Sequence, residues 1–186
     1  MKNLKQTSIP GVHEIEMFHA GDERGSFIKP FHKQTLEKHG LNGDFRESYF
    51  SVSSAGVIRG MHFQLPPHDH HKLVYCNSGA LLDLLLDLRR GSPTYGQSAS
   101  FELSGENHKA LYIPTGLAHG FKVLKDNTMM TYLTGTEHAP DHDAGIHYNS
   151  FGFDWSEPNP VLSARDAGFP PLADFESPFT FNPKKS

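Results

Sequence analysis

Eight short stretches between residues 50 and 134 constrain this chain more than any other feature. They cover residues 50–53, 56–63, 72–76, 80–88, 98–103, 110–113, 120–124 and 129–134, many alternate apolar with polar side chains, and all are bounded by Gly, Pro, Asn, Asp or Ser. A period of two over so few residues gives a strand one apolar face and cannot build an amphipathic helix. Turn sequences such as Asn77-Ser78-Gly79, Ser104-Gly105 and Asp126-Asn127 favour hairpin connections. The expected architecture is therefore mainly β, an antiparallel sandwich or barrel. Outside this block, residues 33–40 combine good helix formers with a stop at Gly40 and read as a short peripheral helix. Beyond about Asp154 the chain turns rich in proline, with Pro158, Pro160, Pro170, Pro171, Pro178 and Pro183. Long regular elements are excluded there, and the expectation is an irregular tail wrapped over the barrel or over a neighbouring subunit. No repeat or linker divides the sequence, so residues 1–186 are expected to form a single domain.

Composition narrows the function classes. A chain of 186 residues buries roughly 70% of its unfolded surface, enough for a core without disulfide or metal. Seventeen Lys and Arg against 21 Asp and Glu leave a net charge of −4, and neither sign is gathered into a block. Nucleic acid and membrane surfaces are therefore not expected partners. The single Cys76 has no partner for an internal disulfide, and the first residues hold no apolar run long enough for a secretory leader. A cytoplasmic protein is expected. The greasiest stretch, residues 80–88, is too short to cross a bilayer and contains Asp83 and Asp87.

Thirteen histidines raise the question of a metal, with His68, His70, His71 and His119 as the first candidates. A β-barrel metal site of the cupin kind has His-x-His, a Glu a few residues later, and another His on a later strand. Here the positions after His71 read Lys72-Leu73-Val74-Tyr75-Cys76, so the Glu is missing and a cation stands in the run. No metal is expected, and the three clustered histidines read as a solvated loop after Pro66-Pro67.

A second constellation joins chemically unlike groups in strand order: Asp22 to Phe27, Gly56 to Gln64, Lys72 to Val74, Ile113 to Phe121, Tyr132, and Leu162 to Asp166. Strict alternation from residue 58 to residue 64 sends Ile58, Gly60, His62 and Gln64 to one face and Arg59, Met61 and Phe63 to the other, unless a bulge intervenes. The glycine near His62 would leave room for a ligand, and Pro114-Thr115-Gly116 would deliver His119 to the mouth of the barrel. Taken singly, each group has a plainer reading. His62 could be a satisfied structural histidine, Tyr132 a barrel aromatic, Arg24 half of an ion pair with Asp22 or Glu23, and Asp166 the cap of a turn. Lys72 resists this, because a lysine in an apolar strand must reach water or meet an anion.

The strings RGMHFQLPP, KLVYC, DLRRGSPTYG, IPTGLAHGF and LSARD resemble the dTDP-4-dehydrorhamnose 3,5-epimerase family across nearly the whole chain. The resemblance implies a cupin-type double-stranded β-helix, or jelly-roll barrel, working as a homodimer without metal or other cofactor. It also implies a nucleotide-diphospho-sugar substrate, a 4-keto-6-deoxyhexose, with inversion of carbon 3, carbon 5 or both. By the same resemblance His62 is the base and Asp166 the carboxylate that orients it. Lys72 is the cation facing the carbonyl oxygen, and Tyr132 is the acid on the opposite face. These types suit the chemistry: imidazole titrates near neutrality, a phenol is protonated at rest, and a positioned cation stabilises enolate charge. Arg24 and Arg59 match diphosphate contacts, and His119 matches a pocket residue.

The chain departs from the family pattern at several substrate-facing positions. Lys29 stands where a Glu would meet the base, Glu47 and Tyr49 replace a Gln and an Asn, and His138 replaces a second tyrosine. These changes reshape the pocket and leave the proton-transfer groups in place. Epimerase chemistry is the expectation. Inversion of one carbon only, a related ketoisomerase, a metal-dependent cupin enzyme and a non-catalytic sugar-binding barrel remain the alternatives.

Overall fold

The computed structural model describes residues 1–183. Six strands form one antiparallel sheet in the order β1 (Asn3–Gln6), β2 (His13–Glu16), β10 (Lys109–Ile113), β7 (Lys72–Ser78), β12 (Thr128–Thr134) and β5 (Glu47–Ser53). Five form a second, in the order β13 (Asp143–Gly145), β6 (Ile58–Gln64), β11 (Leu117–Val123), β8 (Ala80–Asp87) and β9 (Ser98–Ser104). A separate hairpin pairs β3 (Phe18–Asp22) with β4 (Gly25–Lys29). Helix α1 (Lys33–Lys38) is the short element expected, ending where Gly40 takes a positive φ of 75°. The jelly-roll expectation is met. The eight stretches recognised in the sequence became β5 to β12, whereas β1 to β4 and β13 escaped it.

Three apolar clusters explain the layering. Between the sheets, Val74, Cys76, Leu111 and Met130 of the larger sheet meet Leu81, Leu85, Phe121 and Val123 of the smaller. Outside the larger sheet, Leu36 of α1 and Leu41 cover Ile15, Leu73 and Tyr112. Outside the smaller sheet, the proline-rich tail lays Trp155 and Phe179 on Ile58, Met61, Phe63, Leu84 and Leu86. Strand β8 is thus apolar on both faces, as its leucines on either side of Asp83 require. The tail wraps its own barrel, pairing Val161 with Val57 and Thr180 with Arg90 as parallel bridges.

One strand departs from strict alternation. Where β6 meets β11 the register is His119 to His62 and then Phe121 to Arg59, so a bulge lies between. Arg59 and His62, three positions apart, both line the interior cavity, while Ile58, Met61 and Phe63 belong to the outer cluster. The face assignment drawn from alternation is therefore corrected: Ile58 lies opposite His62, and Arg59 lies with it. The glycine beside His62 is corrected as well. A Cβ at Gly60 would lie 2.5 Å from the Gly120 Cα, and one at Gly120 would lie 2.8 Å from the Arg59 carbonyl oxygen. These glycines let two backbones touch rather than admit a ligand. Gly60 also has a positive φ of 142°. Gly60→Ala is expected to destabilise the fold by about 2 kcal/mol or more, which a urea unfolding curve measures; a change under about 0.5 kcal/mol would contradict this account.

Candidate active site

Side chains from both sheets enclose a cavity of about 450 Å³. The larger sheet contributes Glu47, Tyr49 and Ser51 from β5, Lys72 from β7, and Tyr132 and Thr134 from β12. The smaller contributes Arg59, His62 and Gln64 from β6 and His119 from β11, with Asp143 of β13 and Arg165 near them.

His62 is the hub of the smaller sheet's side. Its Nε2 lies 2.9 Å from Asp166 Oδ1, and Asp166 Oδ2 accepts the Gly60 N–H at 3.1 Å. Asp166 sits in α2 (Ala164–Ala167), a single turn whose N-cap, Ser163, accepts the Asp166 N–H at 3.0 Å. Burial alone would raise the Asp166 carboxyl; the His62 hydrogen bond and charge, with Gly60 and Ser163, outweigh it and leave the carboxyl below its ordinary value. An ionised acceptor on Nε2 fixes the neutral ring with its hydrogen there and its lone pair on Nδ1.

On the opposite side, Tyr132 is 7% exposed, and its hydroxyl lies 3.3 Å from Ser51 Oγ. Burial pushes this phenol well above its usual value, only partly offset by Ser51, so it stays protonated. Tyr49, directly opposite Tyr132 in the ladder, stacks on it with ring centroids 4.7 Å apart and planes 18° apart. Lys72 is buried, and its Nζ donates to the His62 carbonyl oxygen at 3.4 Å. Burial lowers its ammonium to about 8, with Asp143 and Asp83 partly restoring it.

Behind these groups lies a second His–carboxylate pair, His119 Nε2 to Asp83 Oδ2 at 2.8 Å. Burial holds both towards neutrality, the imidazole down and the carboxyl up, each opposed by the other. Asp83 Oδ1 has no hydrogen-bond partner among the described residues. At the other end of the cavity, Glu47 accepts the His138 N–H at 2.7 Å. Arg59 donates through Nε to Ser53 Oγ at 3.0 Å, leaving its terminal nitrogens without an acceptor among the described residues and suited to an anion.

The cavity thus gathers His62, Lys72, Tyr132, Arg59, His119, Glu47, Tyr49 and His138, with Asp166 behind His62. Two expected residues stay outside it. Arg24 caps the β3–β4 hairpin, its Nε 3.0 Å from Asp22 Oδ1, with 85% of its side chain exposed. Lys29 ends the same hairpin opposite Phe18. Neither reaches the cavity of its own chain, because the hairpin joins neither large sheet. The solvated-loop reading of the histidine cluster is corrected too. His70 lines the cavity, its Nδ1 2.8 Å from Thr136 Oγ1, and burial with the nearby Lys72 cation lowers it to about 3. His71 is buried against Phe45 and Tyr112, and His68 packs on His142. Among the described residues, no three His, Cys, Asp or Glu side chains converge on a point that could hold a metal ion.

Sequence reasoning overlooked Asp143 and Arg165, which join across the mouth at 2.8 Å from Arg165 to Asp143 Oδ2. Arg165 lies inside the LSARD string and could have been found there; the three residues of β13 offer no alternation to read.

The model of the dTDP-4-dehydrorhamnose 3,5-epimerase family matches residues 6–174. A dTDP-4-dehydrorhamnose 3,5-epimerase of Shigella flexneri is 38% identical over 167 residues, covering 88% of this chain and 92% of its own. Among solved structures, a dTDP-6-deoxy-D-glucose-3,5-epimerase from Legionella pneumophila in complex with dTDP-4-keto-L-rhamnose gives a TM-score of 0.92 at 34% identity, over 97% of this chain and 98% of that one. A 3'-monoepimerase from Streptomyces bikiniensis in complex with dTDP-quinovose gives 0.84 at 30% identity, over 90% and 86%.

The burial of Lys72 has a direct consequence in solution. With ε-13C-labelled lysine, the Lys72 resonance is expected to titrate near 8, charged below that pH and neutral above it, while surface lysines titrate near roughly 10.4. A Lys72 that titrates with the rest would show that its ammonium is not held inside the protein.

Proposed function

The chain belongs to the dTDP-4-dehydrorhamnose 3,5-epimerase family, and from that premise we propose that it inverts carbons 3 and 5 of a dTDP-linked 4-keto-6-deoxyhexose. The observation that carries this reading is the placement of a carboxylate-backed imidazole, His62, on one sheet and a protonated phenol, Tyr132, on the other, with a buried ammonium, Lys72, beside them. Inversion next to a ketone needs a base on one face of the sugar and an acid on the other. His62 takes the α-proton, and the imidazolium that forms is stabilised by Asp166. The electron pair moves onto the carbonyl oxygen, where the buried Lys72 ammonium meets the enolate charge. Tyr132 returns a proton from the far side, and the phenolate and imidazolium re-equilibrate with solvent. Every step is a proton transfer within reach of these side chains, so neither metal nor redox cofactor enters the scheme.

Arg59 would grip the diphosphate, with Glu47, His138 and His119 shaping the rest of the pocket. The remote Arg24 supports a homodimer as part of this reading. Its hairpin exposes Phe18, Phe27 and Ile28, and β5, an edge strand, exposes Phe50 and Val52. Covering these apolar faces with a second copy would bury them and give Arg24 a cavity to serve. A cytoplasmic setting completes the reading, in keeping with the lone buried Cys76 thiol.

Incubation with dTDP-4-keto-6-deoxyglucose in deuterated water should place deuterium at both carbons, read by proton NMR. His62→Ala and Asp166→Asn are expected to slow this by at least about 100-fold with dTDP binding retained, whereas Arg59→Ala should chiefly raise KM. Exchange at neither carbon would reject the assignment. kcat/KM, which reports the free enzyme, should fall above about pH 8 as Lys72 loses its charge. Light scattering should return twice the chain mass, and a monomer would remove the role given to Arg24.

A further inference from the structure

Double inversion makes a demand that a single acid does not obviously meet, since two carbons on either side of one ketone must each receive a proton from the face away from His62. The cavity holds a second phenol suited to this. Tyr49 and Tyr132 are direct partners across the β5–β12 ladder, both line the cavity, and their rings lie parallel. Both stand on the larger sheet, and His62 stands on the smaller. The two hydroxyls differ in surroundings. That of Tyr132 is buried and engaged by Ser51, within the influence of Asp83 and Arg59. That of Tyr49 makes no hydrogen bond among the described residues, belongs to a residue 45% exposed, and lies within the influence of Glu47 and Asp143. Burial, then those two carboxylates, raises it to about 12, which keeps it an O–H donor across the working range.

Resting on the epimerase reading, we propose that Tyr49 is a second proton donor, so that each phenol completes the inversion of one carbon. In its step the Tyr49 O–H bond breaks, the proton forms a new C–H bond at the enolate carbon, and the electron pair on the oxygen returns to the C=O bond. The phenolate left behind regains its proton from solvent, and His62 gives up the proton it took. Stacking sets the spacing. Ring centroids 4.7 Å apart place two donors side by side over one sugar ring, so a small shift of the sugar presents either carbon to an acid.

The test separates the two inversions. Native protein, Tyr49→Phe and Tyr132→Phe are each incubated with dTDP-4-keto-6-deoxyglucose in deuterated water, and inversion at each carbon is followed by NMR. Tyr49→Phe keeps the ring and its stack and removes only the donor. It is expected to slow inversion at one carbon by about 100-fold, leave the other within about threefold, and accumulate the singly inverted sugar. Tyr132→Phe should show the complementary loss. Equal loss at both carbons in Tyr49→Phe would reduce Tyr49 to a support for Tyr132, and undiminished inversion at both would give it no part; either result overturns the proposal. Native protein that inverts one carbon only also overturns it while leaving epimerase chemistry intact, and inversion at neither removes the parent reading as well. A Tyr49→Leu variant, with dTDP binding by calorimetry as the fold control, should reproduce the singly inverted product.

Discussion

A carboxylate carried by an irregular tail has to reach a strand at the heart of the barrel, and the rest of the site depends on that contact. Asp166 spends both oxygens on β6, one on the His62 ring and one on the Gly60 N–H. Holding it there costs desolvation of a charged group, which the two hydrogen bonds and the Ser163 cap offset. The position of Asp166 is in turn set at a distance. The tail is anchored by Trp155 and Phe179 on the outer face of the smaller sheet and by backbone pairing at Val161 and Thr180. Packing on the outside of the barrel therefore fixes a hydrogen bond that faces its inside.

That same contact needs β6 to depart from regularity. With strict alternation Arg59 and His62 would point to opposite faces, and the guanidinium and the imidazole could not share one cavity. The bulge opposite β11 puts both inward, and the close approach of Gly60 to Gly120 is its steric condition. Where the guanidinium and the imidazole stand is thus set by two positions that have no side chain.

How much of this was legible in the sequence follows from the same physics. Residues 72–76 and 80–88 read correctly because one or both faces are buried, which forces apolar residues into a period of two or into a nearly continuous run. The hairpin β3–β4 did not, since every residue of β4 is exposed and nothing in its chain demands alternation. His62, Lys72, Tyr132 and Asp166, which the structure brings together, were singled out through their surrounding strings, and no periodicity would have distinguished His62 from a structural histidine. The bulge could only be allowed for, because its cause is the meeting of two backbones sixty residues apart. His70 was misread for a related reason: its loop folds back under Gln64 and Thr136, contacts that no local pattern announces.

The placement of imidazole and phenols on different sheets explains why a stiff sandwich would suit the proposed chemistry. Base and acids must remain on opposite faces of a substrate that itself becomes planar and loses its stereochemical memory at the enolate. A flexible loop could let the imidazole return the proton it removed, giving exchange without inversion. Here the imidazole rises from one sheet and the phenols from the other, and the core of Leu85, Phe121, Val74 and Met130 holds the sheets apart. Close packing makes that separation hard to compress. On the proposed reading the spacing of the two sheets would thereby set the outcome of the reaction, and the buried Lys72 ammonium between them would contribute charge where screening is reduced.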